Sequence, residues 1–168
     1  AVFASLGYYP LIKPRLDNRD GERIVGSRSG LSAPCIYMEE IDSVDISTYN
    51  CIIVDEAQFL KKEQVQRLAD IADNMNIPVI CYGLRADFSL KGFPGSTRLL
   101  ELAHTIEEMK TICTCGRKAI CNCRKVNGRF VFEGEQVAID LENDVQYVSM
   151  CPQCYFKARR AFYAAKKN

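Results

Sequence analysis

The run of residues 51–83 restricts the fold of this chain more than any other feature. It begins with the apolar segment CIIV at 51–54 and ends with a second apolar segment, VICYG, at 79–83. Between them, apolar residues recur at the three- and four-residue spacing of an amphipathic helix, and Pro78 marks its end. Strands that are apolar throughout are typical of parallel sheets buried on both faces, and parallel pairing requires a crossover connection. The run therefore predicts a β-α-β unit within an α/β fold.

Length and charge exclude several classes of protein. The 168 residues, 48% of them hydrophobic, suit one globular domain with at most a small appendage. The formal net charge of +1 provides no general attraction to nucleic acid or to an anionic membrane. No apolar run approaches the ~20 residues of a membrane-spanning helix. We therefore expect a cytoplasmic protein with neither nucleic acid nor a membrane as its partner.

The character of the sequence changes near residue 109, and this change predicts the domain organisation. Residues 1–109 are interpreted as an α/β nucleotide-binding core, with exposed loops at 15–34 and 84–96 and a second helix at 96–109. Residues 110–155 carry short β-like pieces between paired cysteines, which predicts a small metal-binding lobe. Residues 156–168 are basic and predict a C-terminal helix or tail.

Six of the nine cysteines crowd into residues 113–154 as CTC, CNC and CPQC. Clustered pairs without a secretory context favour metal ligation over disulfides. The CPQC pair, Cys151 and Cys154, has the two-residue spacing that is usual in zinc sites. We therefore expect these two thiolates to supply half of a tetrahedral zinc site.

The other half of the site has two candidates with the same one-residue spacing, Cys113 with Cys115 and Cys121 with Cys123. We prefer the first pair, because Gly116 follows it directly and permits the turned backbone of a metal knuckle. The second pair remains the alternative. Four thiolates leave no open position for water, so the expected zinc is structural and stabilises a lobe too small to fold well alone.

Two adjacent carboxylates, Asp55 and Glu56, follow the apolar strand at 51–54. An aspartate at the carboxyl end of a buried parallel strand is the Walker B arrangement, which holds the Mg²⁺ of a nucleotide. Ligands of open α/β sheets bind at that edge. Glu56, one residue further on, can face a different atom from the one that Asp55 faces. A carboxylate beside a substrate hydroxyl can accept the hydroxyl proton as the oxygen attacks phosphorus. The pair therefore suggests phosphoryl transfer.

Five blocks of sequence together resemble the type II thymidine kinases, the zinc-containing cellular and bacterial enzymes. They are VDEAQF (54–59), CYGLRADF (81–88), ICTCGRKA (112–119), GEQVAI (134–139) and YVSMCPQCY (147–155). They follow the order and spacing of that family, and the likeness extends from about residue 8 to 163. The resemblance implies a P-loop-type parallel sheet flanked by helices, with a small zinc-ribbon-like lobe that carries a lasso loop. It also implies transfer of the ATP γ-phosphoryl group to the 5′-hydroxyl of thymidine.

The resemblance assigns roles around the acidic pair. Glu56 matches the general base for the 5′-hydroxyl, and Arg19 matches a residue that neutralises charge as the phosphoryl group moves. Asp17 matches an acid that assists the metal. The positions implied to contact ATP and Mg²⁺ are Asp17, Asp55, Glu56, Ala57 and Gln58.

The resemblance also assigns the nucleoside pocket and its lid. The positions implied to contact the nucleoside are Phe59, Leu84, Phe88, Phe93, Asn122, Val137 and Tyr147. A flat apolar slot suits a pyrimidine ring. The lasso, at about residues 137–147, would close over the thymine edge. Feedback inhibition by dTTP and a homotetramer are further properties that the family implies.

Residues 1–168 contain no Gly-rich run ending in G-K-[ST], which a kinase of this type needs to bind phosphates. We expect this phosphate loop, with its strand, to lie upstream of Ala1.

Two rival functions remain open. The DEAQ segment at 55–58 is similar to a helicase box and would suit an ATP-driven nucleic-acid motor, but such motors need two tandem α/β domains. A zinc-ribbon module that binds nucleic acid would need a basic, aromatic-rich face. The basic residues at 157–167 favour this second alternative, and the net charge of the whole chain argues against it.

Overall fold

A computed structural model of the chain describes residues 9–18, 21–27, 29–136 and 144–166. These residues form two compact units. The first contains the chain up to residue 85 together with residues 93–106, and the second contains residues 86–92 together with the chain from 107 onward. Among the described residues, no helix is both long and apolar enough to cross a membrane.

The first unit is built on a four-stranded parallel sheet, which confirms the predicted α/β class. Its elements in chain order are β1 (Leu11–Lys13), β2 (Ile24–Gly26), β3 (Ser32–Pro34), β4 (Ile36–Tyr37), β5 (Ile52–Val54), α1 (Lys62–Met75), β6 (Val79–Cys81) and α2 (Pro94–Leu102). The order of strands in the sheet is β4-β1-β5-β6, and all three pairings are parallel. The predicted β-α-β unit corresponds to β5, α1 and β6.

The core of the first unit lies where α1 meets the sheet. The helix buries Val65, Leu68 and Ile71, whose spacing places them on one face. They pack in one cluster with Ile52 and Val54 of β5, both of which are fully buried. This packing explains why the apolar run at 51–54 is continuous, since its alternate side chains point to opposite faces of a sheet.

Helix α2 is shorter than the sequence predicts and starts earlier. Pro94 occupies its first turn, where a missing N–H costs nothing. The helix ends because Ala103 is already extended, with φ −65° and ψ 130°. Ile106 and Met109 lie in the part of the predicted helix, after residue 102, that does not form. They are 60% and 75% exposed and therefore do not anchor another helical turn.

The segment predicted as an exposed loop at 15–34 contains a two-stranded hairpin. Strands β2 and β3 pair antiparallel, with Val25 opposite Ala33. Between them Gly30 has φ +82°, a conformation that glycine adopts at little cost. The residues before the hairpin turn back toward β1, as described for the site below.

The second unit contains a small antiparallel sheet and a C-terminal helix. Its elements are β7 (Thr111–Ile112), β8 (Lys118–Ala119), β9 (Cys121–Val126), β10 (Arg129–Val131), β11 (Val145–Met150) and α3 (Pro152–Ala165). The central strand, β9, pairs with β10 on one side and β11 on the other. Phe132 and Tyr155 are buried in one cluster and contact each other edge to face, with ring centroids 5.2 Å apart.

Helix α2 packs closely on the turn at Ala57–Phe59, which gives a testable consequence at Gly95. A Cβ atom at Gly95 would lie 2.5 Å from the Leu60 carbonyl oxygen and 2.9 Å from that of Ala57. Backbone oxygens cannot move aside as a flexible side chain can. We expect Gly95→Ala to lower the free energy of unfolding by about 1–3 kcal/mol, as overpacking does, although alanine favours helix formation. Urea unfolding followed by circular dichroism measures this change.

The matched control is Glu101→Ala, at an exposed position of the same helix. This change removes only a surface ion pair with Arg98. Such a pair contributes about 0–1 kcal/mol. A Gly95→Ala variant as stable as Glu101→Ala would contradict the close approach of α2 to the turn.

Candidate active site and metal centre

The acidic pair lies where β5 leaves the sheet. The backbone N–H of Asp55 donates to the Ile12 carbonyl at 2.8 Å, and the N–H of Ala57 donates to the Tyr82 carbonyl at 2.9 Å. Glu56, between these two fixed points, is left-handed, with φ +50° and ψ 36°. A left-handed residue other than glycine costs about 1–2 kcal/mol. Such strain is found where the surroundings force it, and it is common at functional sites.

Gln58 holds the Glu56 side chain. Its Nε2 donates to Glu56 Oε2 at 2.5 Å, and its Oε1 accepts from the backbone N–H of Leu84 at 3.0 Å. Gln58 is 1% exposed, and a Cβ atom at Gly83 would lie 2.8 Å from its Oε1. Glycine at 83 therefore makes room for the amide that orients the carboxylate. Ala57, also predicted to contact the nucleotide, is fully buried.

Lys13 is the last residue of β1, and Asp17 comes four residues later along the chain. Lys13 is fully buried, and its Nζ donates to the carbonyls of Gly21 at 3.0 Å and Ile24 at 2.7 Å. These bonds tie Gly21 and Ile24 to the end of β1, and Asp17, which precedes them in the chain, is 5% exposed. Burial raises the pKa of the nearby Cys35 thiol, and the charges of Lys13, Asp17 and Asp55 also act on that pKa. Asp17 and Asp55 thus both lie close enough to Cys35 for their charges to act on its thiol. Arg19 lies outside the described residues.

Three of the predicted nucleoside contacts belong to the first unit. The rings of Phe59 and Phe93 meet edge to face, with centroids 5.7 Å apart. Leu84 is 42% exposed, and its carbonyl accepts from Ser96 Oγ at 2.6 Å. This bond ties the end of β6 to the first turn of α2. A side chain this exposed is available to a flat apolar ligand.

The remaining predicted nucleoside contacts that the structure describes belong to the second unit. Phe88 is 2% exposed, and its carbonyl accepts from the Tyr155 hydroxyl at 2.7 Å. Asn122 lies on β9 and Tyr147 on β11, where Tyr147 stands directly opposite Arg124. Asn122 and Arg124 are two residues apart on one strand, so all three side chains share a face of the sheet. Val137 lies outside the described residues.

Four cysteines of the second unit form a cluster that could hold a metal ion. Their sulfur atoms all lie within 4.8 Å of one another, and the four are Cys113, Cys115, Cys151 and Cys154. This is the set that combines CPQC with the preferred CTC pair. The other pair is buried in the hydrophobic cluster, with Cys121 4% exposed and Cys123 fully buried. Four thiol groups this close together fit zinc better than a hard cation such as Mg²⁺.

Backbone turns shape both halves of this cluster. Gly116 has φ +82°, and its N–H donates to the Cys113 carbonyl at 2.8 Å. Cys151 caps helix α3, and its sulfur accepts from the backbone N–H of Cys154 at 3.5 Å. Pro152 in the first turn starts the helix immediately after the first ligand of the pair.

Electrostatics in the cluster favour the thiolate form at Cys151. The backbone N–H of Cys154 and the guanidinium of Arg117 lower the pKa of the Cys151 thiol to about 6. The pKa of Cys154 shifts the other way, to about 12, because the thiols of Cys115 and Cys151 stabilise its protonated form. Metal binding requires deprotonated thiols, so a cation would displace the protons that remain on the other thiols of the cluster.

Sequence reasoning missed three residues that organise the site: Lys13, Arg124 and Tyr155. Lys13 had a usable signal, since a lysine that follows two apolar residues of a buried strand is unusual. Arg124 is 4% exposed, and Tyr155 is fully buried. Their partners are distant in sequence, and no local pattern marks them.

Comparison with known proteins identifies the family. The family model described as thymidine kinase matches residues 8–155. A thymidine kinase of Legionella pneumophila strain Philadelphia 1 is 44% identical, with 94% of this chain and 79% of that protein covered. A thymidine kinase of Vibrio vulnificus strain CMCP6 is 45% identical, over 85% of this chain and 78% of that protein. A thymidine kinase of Yersinia pestis is 44% identical, over 87% and 78%. The chain belongs to the thymidine kinase family.

Proposed function

We propose that this chain transfers the γ-phosphoryl group of ATP to the 5′-hydroxyl of thymidine, giving thymidine 5′-phosphate and ADP. The family match over residues 8–155 supports a nucleoside kinase. The observation that carries the mechanism is the Glu56 carboxylate, which the Gln58 amide orients at the end of β5. A fixed carboxylate at that edge of a parallel sheet is well suited to accept a proton from a bound hydroxyl.

In the proposed reaction Glu56 takes the proton of the 5′-hydroxyl as that oxygen attacks the γ-phosphorus. The new bond joins the 5′-oxygen to phosphorus, and the bond from phosphorus to the β–γ bridging oxygen breaks as ADP leaves. Arg19 would neutralise charge on the moving phosphoryl group. Asp17 and Asp55 would hold the Mg²⁺ that accompanies ATP, which neutralises charge on the phosphates. Carboxylate oxygens are the ligands that Mg²⁺ prefers.

We propose that the positions which the family resemblance implies, Phe59, Leu84, Phe88, Phe93, Asn122 and Tyr147, contact the nucleoside. Val137 is proposed to contact the nucleoside too, within the lasso at 137–147, and Ala57 and Gln58 to adjoin the nucleotide. We further propose dTTP as a feedback inhibitor, a homotetrameric assembly and a cytoplasmic location. These last three proposals rest on the family resemblance.

We propose that the four clustered cysteines hold one structural zinc. The support is the spacing of their sulfur atoms, within 4.8 Å, and the thiolate-favouring surroundings of Cys151. A tetrathiolate site leaves no position for water or substrate. The zinc would therefore stabilise the second unit and take no part in the chemistry.

The decisive functional test is turnover of the full-length protein with ATP, Mg²⁺ and thymidine. We expect thymidine 5′-phosphate from the wild type, and a fall in kcat of about 10²–10⁴-fold in Glu56→Gln, because an amide cannot accept the proton. Chromatography of the nucleotide products measures both. Glu63→Gln, an exposed position at the start of α1, is the matched control and should retain wild-type turnover.

Two results would contradict this proposal. If Glu56→Gln retains turnover within tenfold of the wild type, Glu56 is not the base. If the wild type hydrolyses ATP only when RNA is added, and phosphorylates no nucleoside, the protein is a nucleic-acid motor.

Zinc content tests the ligand assignment separately. We expect the purified wild type to contain about one zinc per chain, and Cys113→Ser and Cys151→Ser each to lose it with a lower melting temperature. Elemental analysis by mass spectrometry measures the metal. Cys121→Ala is the control from the excluded pair, and it should keep its zinc. Loss of zinc from Cys121→Ala with retention in Cys113→Ser would show that the CNC pair supplies the ligands.

A further inference from the structure

The loop at residues 86–92 is preformed by its own hydrogen bonds. Its ends are joined by a β-bridge between Ala86 and Gly92. Asp87 is 5% exposed, and its Oδ1 accepts from the backbone N–H and hydroxyl of Ser89, both at 2.8 Å, and from the N–H of Lys91 at 2.9 Å. A carboxylate that accepts three bonds within one loop fixes the loop's shape. The main chain at Phe88 is therefore held in place by the hydrogen bonds of its own loop.

Phe88 is also held from outside the loop, at two points. Its carbonyl accepts from the Tyr155 hydroxyl at 2.7 Å. Its ring lies under the guanidinium of Arg124, with Cζ 3.6 Å from the ring centroid. A cation over an aromatic face is attracted by the ring quadrupole, and more strongly when water is excluded. One partner fixes the main chain of Phe88 and the other fixes its ring.

Arg124 reaches a third segment as well. Its Nη1 donates to the Glu135 carbonyl at 2.9 Å, and its Nη2 donates to the Glu133 carbonyl at 3.0 Å. Gly134 lies between these residues, and a Cβ atom there would be 2.9 Å from Nη2. Arg124 thus joins β9, the Phe88 loop and the segment that precedes the proposed lasso.

Core packing alone does not account for an arginine in this environment. Arg124 is 4% exposed, and its Nε has no hydrogen-bond partner in the described part of the chain. Burying a guanidinium against carbonyls and a ring, with one N–H unsatisfied, is costly. A leucine would fill such a place more cheaply. The face that Arg124 shares with Asn122 and Tyr147 indicates what the arrangement serves, since both are proposed nucleoside contacts.

We propose that Arg124 and Tyr155 are positioning residues for the nucleoside: they lock the ring and main chain of Phe88, a proposed nucleoside contact, before a pyrimidine base binds. The inference rests on the proposed function. An aromatic side chain that is already fixed loses no rotamer freedom when a ligand binds, so affinity for the nucleoside rises. Neither residue touches the reacting atoms, and the phosphoryl donor does not depend on them.

The test measures kcat and the KM for each substrate in the full-length protein carrying Arg124→Lys or Tyr155→Phe. Tyr155→Phe removes a single buried hydrogen bond, the one to the Phe88 carbonyl. We expect each variant to raise the KM for thymidine about five- to tenfold, with kcat and the KM for ATP within about twofold of wild type. Arg159→Lys and Tyr163→Phe, which alter an arginine–tyrosine pair on the surface of α3, are the matched controls and should change neither KM.

A double-mutant cycle with Phe88→Leu separates positioning from general stability. If Arg124 acts through Phe88, adding Arg124→Lys to the Phe88→Leu variant should raise the thymidine KM by less than twofold, because the aromatic ring is already absent. Equal rises in both backgrounds, or an unchanged thymidine KM in Arg124→Lys and Tyr155→Phe, would overturn the inference. So would a joint loss of kcat, both affinities and zinc, which indicates a structural role only. A wild type that fails to phosphorylate thymidine would instead overturn the proposed function.

Discussion

Parallel pairing of β5 with a strand on each side is the constraint on which the site depends. Because β1 and β6 both run in the direction of β5, all three strands end at one edge of the sheet. The backbone is held on both sides as far as Asp55 and again at Ala57, which forces Glu56 into a left-handed conformation between them. Gln58 then fixes the direction of the Glu56 carboxylate. The strain at Glu56 is thus a consequence of the sheet.

The second unit depends on a different kind of constraint. It is small and has a limited hydrophobic core, and a domain of that kind commonly relies on a metal or disulfides for stability. Two of its four clustered thiols, Cys151 and Cys154, lie at the start of α3, and Tyr155 follows Cys154 directly along that helix. Through the Tyr155 hydroxyl, the position of the helix is linked to the Phe88 loop. Stability of the metal centre and geometry around Phe88 are therefore connected within one unit.

Residue patterns were sufficient to predict the elements whose information is local. The β-α-β unit could be predicted from sequence because each of its signals lies within one element. The continuous apolar run marks β5, and the helical periodicity marks α1. The thiol cluster could be predicted for the same reason, because the spacing of metal ligands is a local pattern. Gly116 favoured the CTC pair over the CNC pair. Strand β9 was missed because its cysteines suggested ligands, although Cys121 and Cys123 belong to the core of the small sheet.

The remaining features depend on contacts between distant parts of the chain. The end of α2 depends on tertiary packing. The apolar residues Ile106 and Met109 follow Leu102 in sequence, but both side chains are exposed and pack against no core. The burial of Arg124 requires Phe88, Glu133 and Glu135 to meet around it, which no pattern along one strand encodes. The role of Gln58 likewise depends on Leu84, in a different strand-to-helix connection.

The central claim concerns one carboxylate, and a crystal structure of the full-length protein with thymidine, Mg²⁺ and a non-hydrolysable ATP analogue tests it most directly. The quantity to measure is the distance from the nearer Glu56 carboxylate oxygen to the 5′-oxygen of thymidine. The account predicts hydrogen-bond contact, at about 2.6–3.2 Å, with the Gln58 amide still bonded to the same carboxylate. A 5′-oxygen bound by another acid, with Glu56 beyond the reach of even one bridging water, would contradict it.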